Sequence, residues 1–589
     1  MEKHGLIRQR TSILALSQQW TPIIAVWKCS RIRENSELRI IHGRILTNRR
    51  QQNISIKPAG GISPGLNTQG FCESLPFFVV LLSCEACDSA NLPENGVRQA
   101  TSHCCTGLIL TVYHSHLNPE VHSMTKKTSR RGFIGTTAAL GTAFWVAPRS
   151  FARRGRSALQ GLTAACVGVG GKGDSDCSHI SDQDVEIVGL CDVDRRTLAK
   201  KAKEFSDAEQ FTDFREMLDK LGDKVDIVTV STPDHTHAAA AIKAMKMKKH
   251  VYCQKPMTWS IREARMMREV AAEMGVVTQM GNQGTSEDGL REAVEVIRSG
   301  AIGDVAEIHV WTNRPIWPQG IGRPPGEDPV PDYLDWDSWI GPAAMRPYKE
   351  VIYHSFKWRG WADFGTGALG DMACHTTNMP VMALELWDPI AVTAVKNPGI
   401  FENETYPGSS TLMFEFPERN GKVACKFYWY DGGNLPSEDL IAHLPEGFRK
   451  RIDEQKKGGS KTSAALIVGS KGMLLSENDY GAQYTLLPEP DFKGFKKPEQ
   501  SLPRIPFKGG TDERQKWEFV QSCRGEYEPG TMSNFGYAGR LTETILVGNL
   551  AVRAGEGQRI EWDAKNLVST NLPDLNKFVE REYREGWTL

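Results

Sequence analysis

Two sets of residues are spaced for chemistry. Gly168, Gly170 and Gly173 form a G-x-G-x-x-G pattern in the stretch GVGGKG, and Asp192 follows 19 residues after the third glycine. Glycines at these positions permit a tight turn and let main-chain N–H groups approach a pyrophosphate at a helix N-terminus. A carboxylate at the end of the following strand can accept hydrogen bonds from the adenosine ribose hydroxyls. The pattern therefore predicts a dinucleotide site. Asp192 favours NAD over NADP, because a carboxylate repels a 2′-phosphate, while Arg195 and Arg196 close behind it weaken that preference. The second set is Asp371-x-x-x-His375 in GDMACHTTNM. If this stretch is helical, both side chains share one face, and an imidazole titrates near neutrality, as a general base should. Taken alone, the same spacing more often marks an ordinary helix salt bridge. No metal is expected. Cys84-x-x-Cys87 lacks a second pair at metal spacing, and no H-E-x-x-H occurs.

These residues need elements to hold them. LTAACVGVG (162–170), VEIVGLCDVD (185–194), VDIVTVSTP (225–233), HVYCQKP (250–256) and VVTQMGNQ (276–283) are apolar, strand-like runs. Helical stretches at 195–205, 236–249 and 260–275 lie between them. This alternation predicts an α/β Rossmann domain over 160–285, with a parallel sheet covered on both faces. Beyond 305 the runs VAEIHVWTNR, STLMFEFPE, KVACKFYWYD and YTLLPE alternate apolar and polar residues. They predict a C-terminal α+β domain over 286–580 with an open, largely antiparallel sheet. Residues 313–358, rich in Pro and Trp, read as a long loop packed against that second sheet.

Composition narrows the partners. Lys+Arg and Asp+Glu are both 71, which points away from nucleic acid. No apolar run approaches the ~18–20 residues of a membrane span, so no stable membrane insertion is expected. Residues 1–123 lack any sustained period, and the simplest reading is an upstream extension that is not normally made, with Met124 as the start; a genuine leader is the alternative. Residues 124–152 then resemble a twin-arginine translocation signal: Lys126 and Lys127, the stretch Ser129-Arg130-Arg131-Gly132-Phe133-Ile134, a weakly apolar run, and Ser150-Phe151-Ala152 before a cleavage point. That resemblance implies passage through the twin-arginine export machinery to a periplasmic or other extracytoplasmic location.

The glycine loop, STPDHTHAAAAIKAM, CQKP and GALGDMACH occur in that order. Together they resemble the Gfo/Idh/MocA oxidoreductase superfamily, of glucose–fructose oxidoreductase and inositol dehydrogenase type, over roughly 160–580. The resemblance implies an NAD-dependent dehydrogenase acting on a CH–OH group of a sugar, a cyclitol or a derivative. Lys255 matches the lysine of the family's E-K-P motif, beside the nicotinamide, where an ammonium can steady the charge on a reacting oxygen. Pro256 fixes that loop, and Gln254 stands where the family has glutamate. Asp371 and His375 match the family's D-x-x-x-H pair, with His375 as general base. Ser231, Pro233 and His237 fall to the cofactor side, although His237 can equally be a structural histidine at a helix start. Gln279, Asn282 and Gln283 end a strand on that side, with Gln283 toward the cofactor and Asn282 toward the substrate. Trp358, Arg359 and Trp361 form either a sugar-stacking wall or the aromatic core of their loop. The export route implies a tightly held NAD, since free NAD is scarce outside the cytoplasm, and the family resemblance implies a homodimer or homotetramer. Two rivals share this frame: a redox-neutral NAD-dependent glycoside hydrolase or lyase, and a non-catalytic dinucleotide-binding scaffold.

Overall fold

Thr163–Val167 is buried at every position and forms β1, as expected of a strand covered on both faces. It is the centre of a six-stranded sheet completed by β2 (Glu186–Cys191), β3 (Glu209–Phe211), β4 (Ile227–Val230), β5 (His250–Cys253) and β6 (Thr278–Met280). The strand order is β3-β2-β1-β4-β5-β6 and every pairing is parallel. The chain thus reverses its direction of travel across the sheet between β1 and β4. A crevice opens there, at the carboxyl ends of the strands. Helices α1 (Lys172–Ser181), α2 (Asp234–Lys246) and α3 (Ile261–Met274) follow β1, β4 and β5. The start of α3 is set by a capping box in which Ser260 Oγ accepts from the Glu263 N–H and Glu263 accepts from the Ser260 N–H.

This computed structural model describes residues 161–589 and, ahead of them, only two antiparallel strands, Gly43–Thr47 and Arg50–Ile54. The expectations for the rest of 1–123 and for the signal at 124–152 lie outside the described residues.

The second sheet has nine strands: β7 (Val305–Trp311), β8 (Ala391–Lys396), β9 (Thr411–Phe416), β10 (Cys425–Tyr430), β11 (Ala464–Gly469), β12 (Gly472–Ser476), β13 (Thr485–Leu487), β14 (Arg559–Asp563) and β15 (Val568–Ser569). Their order is β13-β12-β11-β7-β10-β9-β8-β14-β15, antiparallel except where β7 meets β10. Three further helices matter for the site: α4 (Gly367–Thr376), α5 (Thr511–Arg524) and α6 (Phe535–Ala554). The almost wholly buried α6 fills the space between the sheet and α3; Gly548 lets it approach Leu412 and Phe414 of β9.

Two expectations about organisation need correction. The division into 160–285 and 286–580 is crossed by α5. Its Phe519 and Val520 belong to the Rossmann core with Ala164, Cys166 and Tyr252, and Tyr252 Oη donates to Gln515 at 2.8 Å. The 313–358 insert, expected against the second sheet, bonds to the 404–407 loop between β8 and β9, with the Gly320 N–H donating to the Tyr406 carbonyl at 2.7 Å and Arg346 reaching Glu404 at 3.1 Å, and also crosses to the Rossmann domain. At 332–335 it pairs with the loop after β2: the Arg195 N–H donates to the Tyr333 carbonyl at 2.8 Å and the Asp335 N–H to the Val193 carbonyl at 2.9 Å. Its Trp336, Trp339, Tyr348, Tyr353 and Trp358, with Trp361 just beyond it, build a separate aromatic core there. A loop that supplies its own apolar core need not borrow one from the nearest sheet.

Candidate active site

A cavity of about 700 Å³ occupies the crevice, running from the glycine loop and Asp192 at one end to Lys255, Asp371 and His375 at the other. Ligand pockets commonly fall in the range of about 300–1,000 Å³.

The first end fits a dinucleotide on observations of its backbone. Gly168 has φ +77°, and a Cβ there would sit 2.8 Å from the Ser231 carbonyl oxygen. A Cβ on Gly173 would lie 1.9 Å from the Gly168 carbonyl oxygen, so α1 can follow β1 this tightly only with glycine. Gly168, Gly170 and Gly171 line the cavity. Asp192 accepts the Val169 N–H on Oδ2 and the Asp194 N–H on Oδ1, each at 2.9 Å. Burial pushes its carboxyl up to about 6. Each carboxylate oxygen can accept a further bond, which leaves capacity for ribose hydroxyls. Ser231, Pro233 and Gln283 also line the cavity. His237 does not: it is buried, with Nδ1 2.9 Å from the Pro256 carbonyl and Nε2 2.8 Å from the Thr232 carbonyl. It ties the loop after β4 to the loop after β5, so it shapes the cofactor wall from behind.

At the other end three elements meet. The cis Lys255–Pro256 bond sits in the loop after β5. Lys255 Nζ donates to Asp371 Oδ1 at 2.8 Å and to the Asp371 carbonyl at 2.9 Å. Arg359 Nε donates to the same carboxylate oxygen at 3.2 Å. Burial alone would raise the Asp371 carboxyl, but Lys255 and Arg359 outweigh it and hold it down at about 2. Asp371 is therefore a fixed anion, and the stability it contributes is present above about pH 4 and lost as pH falls toward 2. Helix α4 carries Asp371 and His375 on one face, both on the cavity wall. Burial, then Lys255, drives the His375 ring well below the usual histidine range, so the imidazole is neutral. Its Nδ1 has no hydrogen-bond partner among the described residues, and its ring meets Tyr480 edge-on at 5.1 Å.

Two more buried oxygens on this wall, Gln283 Oε1 and Asp479 Oδ1, lack partners among the described residues. A Cβ on Gly284 would come within 2.7 Å of the Tyr480 carbonyl oxygen, so 283–284 and 479–480 are packed together beside His375. Buried acceptors without donors are costly. A ligand rich in hydroxyls would satisfy them.

Behind Lys255 lies a buried charge cluster. Gln254 Nε2 donates to Asp176 Oδ2 at 2.7 Å, and Ser231 Oγ donates to the same oxygen at 2.8 Å. Asp176 is paired with Lys172 at 2.8 Å and Lys516 at 2.7 Å, and Lys516 also reaches Asp512 at 2.8 Å. A glutamate at 254 would point a second carboxylate at Asp176, whereas the amide donates to it. The charge lost at 254 is thus supplied from α1. Lys516→Met is expected to lower unfolding stability in urea by about 3 kcal/mol, at the low end for breaking a buried pair because Lys172 still faces Asp176.

Two expected substrate residues take other positions. Trp361 is 1% exposed and donates its indole N–H to the Ile352 carbonyl at 3.2 Å; it is core of the insert. Asn282 is fully buried, donates to the Cys374 carbonyl at 3.2 Å and accepts from Ser533, so it anchors α4. Trp358 and Arg359 do reach the cavity, and the Arg359 guanidinium lies 4.3 Å over the Trp358 ring. Sequence reasoning missed Asp176, Lys516, Asp479 and Tyr480. Asp176 could have been found, because an acid on the buried face of the cofactor helix needs a partner. Asp479 and Tyr480 sit in a loop between two strands and carry no pattern.

Comparison with known proteins finds similarity over two segments of the chain. Residues 162–282 match the Gfo/Idh/MocA oxidoreductase family, NAD-binding Rossmann fold, and residues 316–391 match that family's C-terminal alpha/beta domain. Inositol 2-dehydrogenase of Rubrobacter xylanophilus is 29% identical over 153 residues, 26% of this chain and 43% of that protein. The 2,7-anhydro-N-acetylneuraminate hydratase of Escherichia coli is 35% identical over 94 residues, 15% of this chain and 25% of that protein. The chain thus spans less than half the length of these curated relatives. Among solved structures, the WlbA dehydrogenase of Bordetella pertussis in complex with NADH and UDP-GlcNAcA covers 69% of this chain and 99% of its own, at 15% identity and a TM-score of 0.46. The two matched segments are thus similar to the Gfo/Idh/MocA oxidoreductase family, the first to its NAD-binding Rossmann fold and the second to its C-terminal alpha/beta domain.

Proposed function

We propose that this protein is an NAD-dependent oxidoreductase that oxidises, or reduces toward, a CH–OH carbon of a sugar, a cyclitol or a derivative. The observation that carries the reading is the neutral, unpartnered His375 beside the Lys255–Asp371 pair in the dinucleotide cavity. Bound NAD would supply the hydride acceptor. His375 takes the hydroxyl proton. Lys255, held by Asp371, hydrogen-bonds the oxygen as its charge develops. Gln283 and Asp479 accept from neighbouring hydroxyls, and Trp358 with Arg359 closes the wall. Asp192, the glycine loop and the Ser231–Pro233 turn hold the cofactor.

A redox-neutral hydrolase or lyase is the second reading, favoured by the insert residues His354, Ser355 and Phe356 on the cavity wall, where they would hinder exchange of a bound cofactor. Purified protein is to be given a panel of sugars and aryl glycosides, with absorbance at 340 nm and released aglycone both followed. NADH accumulating with a free sugar supports the dehydrogenase. Aglycone release without net NADH supports the second reading. Dinucleotide binding with neither signal contradicts both.

The reading includes export by the twin-arginine route to an extracytoplasmic compartment. It rests on the 124–152 sequence and on seven cysteines that are unpaired among the described residues, as suits a protein folded before export. Peptides from before Met124 in the native protein would contradict the assigned start. No helix among the described residues is long and apolar enough to cross a membrane. A homodimer or homotetramer is the expected assembly, checked by sedimentation.

A further inference from the structure

The loop after β2 carries an unresolved conflict in its chemistry: Asp192 disfavours a 2′-phosphate, yet two arginines follow that could bind one. The structure shows what occupies them. Arg195 Nη1 donates to the Asp332 carbonyl at 2.7 Å. Arg196 closes a two-point pair on Asp194, with Nε to Oδ1 at 3.1 Å and Nη2 to Oδ2 at 2.8 Å. Its guanidinium carbon lies 3.4 Å from the centre of the Tyr333 ring. Asp332 and Tyr333 both belong to the insert, which is itself bridged to this loop at Asp194 and Leu334. Neither arginine is on the cavity wall, whereas Asp192 is.

We propose that the 332–335 segment of the insert sets the choice of cofactor, by holding Arg195 and Arg196 on the outer side of the loop so that no free cation meets a 2′-phosphate. This rests on the dinucleotide reading above and deepens it. Arg196 is exposed, and an exposed ion pair by itself is weak. The restraint comes from its partner. The Asp194 side chain is 4% exposed and its main chain is bonded to Asp192. Drawing Arg196 inward would leave a nearly buried carboxylate without its counter-ion, beside a second carboxylate, and would give up the stacking on Tyr333. With Arg196 held on Asp194 and Arg195 on the Asp332 carbonyl, a 2′-phosphate would meet the Asp192 carboxylate with neither arginine free to pair with it. The ribose hydroxyls of NAD need only acceptors, which Asp192 offers.

The test is a comparison of affinities in the full chain, with NAD, NADP, AMP and adenosine 2′,5′-bisphosphate as probes. Wild type is expected to bind NAD at least about tenfold more tightly than NADP. The double variant Tyr333→Ala, Asp194→Ser removes the stack and the two-point pair. Serine keeps a side-chain oxygen for the helix start that Asp194 caps. It is expected to bind NADP and the bisphosphate about tenfold more tightly than wild type, with NAD and AMP changed less than about threefold. Adding Arg196→Ala to that variant is expected to restore the preference, and Tyr333→Phe alone, which keeps the ring, to leave it unchanged. An unaltered NAD-to-NADP ratio in the double variant, with NAD still bound, overturns the proposal. So does a gain for NADP that survives Arg196→Ala. Failure of the wild type to bind any of the four probes would instead overturn the dinucleotide reading itself.

Discussion

His375→Ala is expected to lower kcat/KM by about 10²–10⁴-fold, the usual worth of a positioned general base, while NAD affinity stays near the wild-type value. The ring touches the cavity from α4 and makes no hydrogen bond that holds the fold, so the loss should fall on turnover rather than on folding. The pH profile supplies an independent sign. Burial and the Lys255 charge push the imidazole well below the usual histidine range. A group whose neutral form is favoured remains a base as pH falls, so kcat/KM for the sugar, measured at saturating NAD so that Asp192 near 6 does not limit cofactor capture, should hold level through pH 6.5 and decline only well below it. A decline centred near pH 6.5 would mean that His375 titrates as an ordinary exposed histidine, and the proton-acceptor role would fail.

The second large effect belongs to Lys255. Lys255→Met removes the donor that steadies charge on the reacting oxygen, a loss of about 10²–10³-fold in kcat by analogy with other oxyanion donors. It also changes both neighbours. Asp371 keeps only Arg359, at 3.2 Å, and His375 loses the cation that lowers it after burial. The His375 pKa therefore rises, and the acid decline in residual activity is expected to move to higher pH. A merely structural lysine would lower stability without moving that decline. Arginine is not expected to rescue, because its planar fork differs from the compact ammonium held between the Asp371 carboxylate and carbonyl.

The Rossmann half was legible because its chemistry and its periodicity coincide. The glycine loop, Asp192 and the apolar runs of β1, β2, β4 and β5 point to the same βαβ frame, and the sheet has that order. The i, i+4 relation of Asp371 and His375 was equally readable, since α4 forms where the spacing required it. Helix α5 was hidden by its own sequence. Gln515, Lys516 and Glu518 are fully buried, and a buried face built from paired charges has no apolar stripe to read. Glu518 meets Arg291 at 2.7 Å with both side chains fully buried, a partner more than two hundred residues away in sequence. The insert misled for a different reason: its Trp and Tyr residues signal packing but not against what. Trp358 and Trp361 lie three residues apart in one aromatic core, yet only Trp358 also reaches the cavity. Asn282 and His237 show the same limit, since a polar residue near a site can serve it from behind.

The central claim is that hydride leaves a CH–OH carbon held between Lys255 and His375 and passes to the nicotinamide ring. It is tested most directly with a sugar that gives turnover, carrying deuterium at the reacting carbon, followed by recovery of the dinucleotide and examination of nicotinamide C4 by NMR. Deuterium at C4, absent in His375→Ala, is the expected result for net oxidation and for a redox-neutral cycle stopped in mid-course. Sugar converted to its oxidised product, or a cycle stopped in mid-course, with no deuterium at C4 would contradict the account.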